Sequence, residues 1–170
     1  MAECIIDIKG LVTEYLKNNI GKLINETAFT TMKVKLDNGA IMPTRAHVAD
    51  AGLDLYTRED TVVPAHGYAT FDTGVHIELP PNTYGKLESK SGLNVKHNVV
   101  SLGGVVDVGY TGSIVVKLYN LGDTDYTFHK GEKIVQLLVV PCLFVGVEEV
   151  DELNMNTDRG NNGFGSTGTK

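Results

Sequence analysis

The chain has 170 residues, enough for one domain with a core of its own, and its 42% apolar content and net charge of −6 describe an acidic globular protein. Acidity excludes broad nucleic-acid binding, which needs a positive field to displace counterions, so any anionic ligand must meet cations gathered locally. Cys4 and Cys142 lie far apart without zinc spacing, and neither a secretory leader nor an apolar run of membrane length is evident. The expectation is a reduced, cytoplasmic protein that binds neither nucleic acid nor membrane.

In chain order, Ile5, Ile8, Leu11, Val12, Tyr15, Leu16, Leu23 and Ile24 fall roughly on one helical stripe, which predicts a short helix in an N-terminal extension over residues 1–30. Gly10 and Gly21 each weaken that helix by about 1 kcal/mol relative to alanine, and residues 4–8 fit a strand equally well. After residue 30 the period changes to two. Residues 32–36 and 73–79 alternate apolar and polar, and denser apolar runs follow at 114–118 and 134–140. Turn signals separate them at 37–39, 65–67, 79–82 and 121–123. Many short strands at even spacing predict an all-β sandwich or barrel over residues 31–150, followed by a glycine-rich arm over residues 151–170.

Polar residues and glycines concentrate in a few connections, where function tends to sit. Asp54 stands between apolar neighbours and reads either as a hydrogen-bond anchor or as an acid beside a metal. Lys90, Ser91 and Gly92 bring an amine, a hydroxyl and a glycine N–H together, a phosphate cradle or else a plain turn with solvated lysines. Gly104, Val105, Val106, Asp107 and Tyr110 alternate like a hairpin whose glycines let the backbone approach a ligand. Asp107 there is a general base at a pocket mouth or a capping aspartate, and Tyr110 a pocket wall or a packed ring. Gln136 interrupts an apolar strand and must find hydrogen-bond partners in the backbone or in a ligand. The tail joins Arg159, Phe164, Gly165, Ser166 and Thr167: a cation for an oxyanion, a flat ring for a base, and small donors for phosphate oxygens. Such a glycine-rich end stays loose unless a ligand orders it.

Together, in this order, these five stretches resemble the five motifs of the trimeric dUTPase family, over about residues 32–168. The resemblance implies a jelly-roll-like β-barrel, Mg2+-dependent hydrolysis of dUTP to dUMP and pyrophosphate, and a homotrimer whose active sites are each built from three subunits, with the arm of one closing over its neighbour. It implies that Asp107 deprotonates the water that attacks the α-phosphorus. The backbone of Gly104, Val105 and Val106 would read the uracil edge, and Tyr110 would pack under deoxyribose. Lys90, Ser91, Gly92 and Gln136 would meet phosphates. Arg159, Gly165, Ser166 and Thr167 would clamp the far phosphates, Phe164 would stack on uracil, and Asp54 would reach the metal through water or hold the site's network. Lys90 and Lys133 stand where the family usually has arginine, which keeps the charge and loses the planar fork. A dCTP-deaminating relative shares the fold and part of the Asp107 motif, but the intact tail argues against it. A nucleotide-switched β-trimer that binds a regulatory protein partner without catalysis is the other alternative, opposed by the retained Asp107.

Overall fold

The computed structural model describes residues 14–15, 31–158 and 160–162. Glu14 and Tyr15 are helical; the rest of the predicted N-terminal helix lies outside the described residues. The chain then runs through β1 (Lys33–Leu36), β2 (Leu53–Tyr56), β3 (Thr61–Val63), β4 (Tyr68–Asp72), β5 (Val75–Glu78), β6 (Thr83–Glu88), a helix α1 (Ser91–His97), β7 (Val99–Ser101), β8 (Val105–Val106), β9 (Val115–Asn120), β10 (Tyr126–Phe128) and β11 (Lys133–Pro141). The all-β expectation holds, and the strands fall where the two-residue periods end in turn residues.

All pairings are antiparallel, in sheets ordered β1-β5, β10-β3, β2-β11-β6-β8 and β4-β9-β7. Non-sequential neighbours such as β2 and β11 give the jelly-roll character, with strands far apart in the chain closing on one core. On β9 the alternation is clean: Val116, Leu118 and Asn120 point inward. They meet Leu55, Val63, Val75, Ile134, Val135 and Leu137, all fully enclosed, and the edge-on pair Phe71 and Phe128 at 5.3 Å. Each such aliphatic or aromatic side chain contributes about 1.5–3 kcal/mol of burial. Asn120 is enclosed at no net loss because its amide donates to the carbonyls of Val63 and Thr124 while its oxygen accepts from Gly122 N.

Two local expectations change. Ser91 and Gly92, read as part of a cradle or turn, open a helix of about two turns over residues 91–97. Its sequence has weak propensity, and it is held instead by Asn98 in the left-handed region (φ 55°) closing its end and by Leu93 resting on the core. The glycine-rich stretch at Asp107 is not a closed hairpin. β8 pairs with β6, whereas β9 pairs with β4 and β7, so the intervening residues cross from one sheet to another.

Candidate active site

The sheet β2-β11-β6-β8 carries two groups of site residues. In the first, the register places Asp54 opposite Gln136, and Gln136 opposite Glu88. β6 then delivers Ser89 and Lys90 directly beyond that row. Lys133 Nζ lies 2.6 Å from one Asp54 oxygen, and Lys90 Nζ bonds the other. Asp54 is only 6% exposed. Burial pushes its pKa up, but the hydrogen bonds and charges of Lys133 and Lys90 outweigh that and hold it below the usual carboxylate value. Asp54 in turn holds Lys133 above the usual lysine value. The cluster of two ammonium groups on one carboxylate is a local positive excess in an acidic protein, which is what an anionic ligand requires.

Gln136 Nε2 donates to the carbonyl of Ser89 at 3.1 Å, so the backbone is its partner within the chain. An added Cβ on Gly52 would sit 2.5 Å from Gln136 Oε1, so a side chain there would displace the Gln136 amide. Ser91 and Gly92, exposed at the start of α1, follow Lys90 directly, and a Cβ on Gly92 would meet only open space. Ser89, which the sequence reading did not single out, is the hub of this corner. Its hydroxyl accepts from Ser101 N at 2.9 Å and its carbonyl holds Gln136.

The second group surrounds a pocket of about 200 Å³ lined by Leu87, Gly104, Val105, Val106, Asp107 and Tyr110 together with Ile114 and Val115. Gly104 (φ 123°) lies so close to β6 that an added Cβ would stand 2.6 Å from Leu87 Cβ, and its carbonyl accepts from Leu87 N at 2.8 Å. A side chain there would push β8 off β6 and change the pocket's rear wall. The turn after β8 closes through Tyr110 N to Asp107 O at 3.1 Å, with Gly109 at φ 90°. The Tyr110 ring lies over Gly112, and its hydroxyl donates to the carbonyl of Ser113 at 3.0 Å. The Asp107 carboxylate is exposed and makes no hydrogen bond or ion pair among the described residues.

The fold thus brings Gly104, Val105, Val106, Asp107 and Tyr110 to one pocket and Asp54, Lys90 and Gln136 to one polar corner, with Ser91 and Gly92 beside it. Arg159, Phe164, Gly165, Ser166 and Thr167 lie outside the described residues. Among the described residues, no group of three or more His, Cys, Asp or Glu side chains is placed to hold a metal. Both Asp54 oxygens are occupied by ammonium groups, so the site residues fit a metal carried on a ligand's phosphates better than one held in a protein cage.

A model of the dUTPase family matches residues 38–168, a span that includes every one of these positions. The chain belongs to the dUTPase family. As a member it is a hydrolase of nucleotide metabolism. The deoxyuridine 5'-triphosphate nucleotidohydrolase of Clostridium acetobutylicum is 45% identical over 138 residues, which cover 80% of this chain and 94% of that protein. The protein of the same description from Debaryomyces hansenii is 39% identical over 131 residues, covering 76% and 81%. Among solved structures, the dUTPase of Staphylococcus bacteriophage 80alpha with dUPNHPP aligns with a TM-score of 0.74 at 31% identity, covering 82% of this chain and 99% of that one. A dUTPase from phage phi11 of S. aureus, described for its coordination of a structural Mg(II) ion, aligns with a TM-score of 0.67 at 27% identity over 72% and 98%.

Proposed function

We propose that this dUTPase-family enzyme hydrolyses dUTP to dUMP and pyrophosphate by attack of water on the α-phosphorus, with Asp107 as the general base. The observation that carries the reading is the contrast at the pocket rim: Asp107 is an exposed carboxylate, unpaired among the described residues, beside a glycine-lined backbone that a flat ligand can reach. A water held by Asp107 gives up its proton to the carboxylate as its oxygen bonds the α-phosphorus, and the bond to the bridging oxygen breaks to release pyrophosphate. Backbone donors and acceptors of Gly104, Val105 and Val106 read the uracil edge. On this reading a 5-methyl group finds no room in the pocket of about 200 Å³ beside that backbone, and Tyr110 underlies deoxyribose where a 2′-hydroxyl would collide.

Lys90, Ser91, Gly92 and Gln136 meet the phosphates, with Asp54 holding Lys90 and Lys133 in place. Arg159, Gly165, Ser166 and Thr167 clamp the far phosphates, and Phe164 stacks on the base. When bound to the triphosphate, Mg2+ neutralises charge that builds on the phosphate oxygens. Asp54, whose oxygens are paired with the lysines, would meet such an ion only through water. The working unit is a homotrimer with sites shared between subunits, in the cytoplasm.

Incubation with each deoxynucleoside triphosphate and Mg2+, followed by product analysis, tests this reading. The expected products are dUMP and pyrophosphate from dUTP alone. Ammonia from dCTP, or no product from dUTP, would overturn it. Deleting residues 159–170 is expected to leave a folded protein with severely reduced turnover; unfolding on deletion would make the tail structural instead.

A further inference from the structure

His76, on β5, faces an oxygen acceptor with each ring nitrogen. Nδ1 lies 2.8 Å from the carbonyl of Thr111, and Nε2, wholly shielded from solvent, lies 3.2 Å from a carboxylate oxygen of Asp37 without good hydrogen-bond alignment. Neutral imidazole carries one N–H and serves only one of these oxygens; imidazolium serves both. The pocket around the ring is therefore built for the cation. The bond to the Thr111 carbonyl and then the Asp37 carboxylate hold its pKa above the usual histidine value, against the opposing effects of burial and Lys35.

Thr111 is the residue after Tyr110, and the loop that follows is tied down at each step. The Ser113 hydroxyl bonds Asp72, which Arg58 holds at 2.8 Å. Ile114 N donates to Val75 O, and Ile114 O accepts from Thr73. Between these ties and the Tyr110 ring sits Gly112, whose backbone would let the loop pivot. The tie at Thr111 is His76. We propose that His76 is a positioning residue for sugar selection: by clamping the Thr111 carbonyl against β5 it fixes the height of the Tyr110 ring and so sharpens rejection of ribonucleotides. This rests on the assignment of Tyr110 to the sugar made above.

The charged groups facing the ring are Lys35 and Asp37 from β1 and its following turn, and Asp72 from the end of β4, with the Lys33–Glu78 pair farther along the same strands. Asp72 is paired with Arg58 at 2.8 Å, so the Thr111 carbonyl and the Asp37 carboxylate, set against Lys35, are what favour the cation. Because the folded pKa is raised, both bonds are complete below the ordinary value of 6.5, and the clamp weakens as pH rises through the higher folded value, where one N–H is left to serve either Thr111 or Asp37. Selection against UTP should weaken in that same direction.

The test compares wild type, His76→Gln, His76→Leu and Tyr110→Ala, measuring kcat and KM for dUTP and UTP between about pH 6 and 9, the range in which histidine titrates. For wild type, the dUTP-to-UTP preference should fall severalfold with rising pH, chiefly through KM. His76→Leu should show the weakened preference at every pH. His76→Gln, neutral but able to donate to Thr111, should give a preference independent of pH. If His76→Leu merely melts at lower temperature and keeps the wild-type preference and pH profile, while Tyr110→Ala loses the preference, His76 is structural and this inference is wrong. A wild-type pH profile in His76→Gln overturns it equally. If Tyr110→Ala itself leaves the preference intact, the sugar-wall reading of Tyr110 fails and takes this inference with it, an outcome that leaves hydrolysis of dUTP untouched.

Discussion

Asp54 and Asp107 are carboxylates served by the same sheet, and their surroundings are opposite. Asp54 is 6% exposed, and both of its oxygens are taken by lysines; Asp107 is exposed at the rim of a pocket and unpaired among the described residues. A carboxylate removed from water must be compensated, and one whose charge is held by two ammonium groups is a poor acceptor of a proton from a reacting water. An acid kept at a pocket mouth retains that capacity. In the proposed reaction the first region organises charge for the phosphates and the second moves the proton.

The sharpest break of this contrast is Asp107→Asn. It should lower kcat by about 10² or more, the usual scale for a general base, with dUTP binding and melting temperature little changed. An unchanged kcat would remove Asp107 from the chemistry. At the opposite pole, Asp54→Ala leaves two ammonium groups facing each other and should cost about 2 kcal/mol in a urea melt, below the range for fully buried pairs because both lysines reach solvent. The same variant checks the pH sign. Asp54 has a lowered folded pKa, so its pairing stabilises above the unfolded value near 3.8 and is lost as pH falls below it toward the lower folded value. Wild type should show that acid limb, and Asp54→Ala should show less of it.

Between the poles lies the wall that joins them. Gly104→Ala puts a Cβ 2.6 Å from Leu87 Cβ at a φ of 123°, and should cost about 1–3 kcal/mol while raising KM for dUTP more than it lowers kcat. Equal wild-type and variant melts would mean that β8 can shift without strain. The smallest expected effect is that of reductant: Cys142 is a free thiol, so dithiothreitol should leave the melting temperature unchanged.

Much of this was legible before any coordinates. The two-residue period at 32–36 and 73–79 and the apolar runs at 114–118 and 134–140 became β1, β5, β9 and β11, because a half-buried or fully buried strand imposes its own pattern on adjacent residues. The glycines around Asp107 announced a backbone able to approach a ligand, whereas the contact of Gly104 with Leu87 is a close approach between strands that the sequence did not announce. Helix α1 was not legible. Its residues have little intrinsic preference, and Asn98 and Leu93 stabilise it through a left-handed cap and a tertiary contact. Nor was the pairing of β8 with β6, since two valines announce a strand without naming its neighbour.

Local order and residue type alone were enough to determine an all-β chain of short strands and the sites of its turns. Those properties depend on neighbours a few positions apart. Only the tertiary structure decided that Asp54 would be clamped by Lys90 and Lys133, that Ser89 would hold Gln136, and that His76 would reach Thr111 across 35 positions. Such contacts are set by strand register between distant segments, and register follows from burying many side chains at once, which no short stretch of sequence encodes.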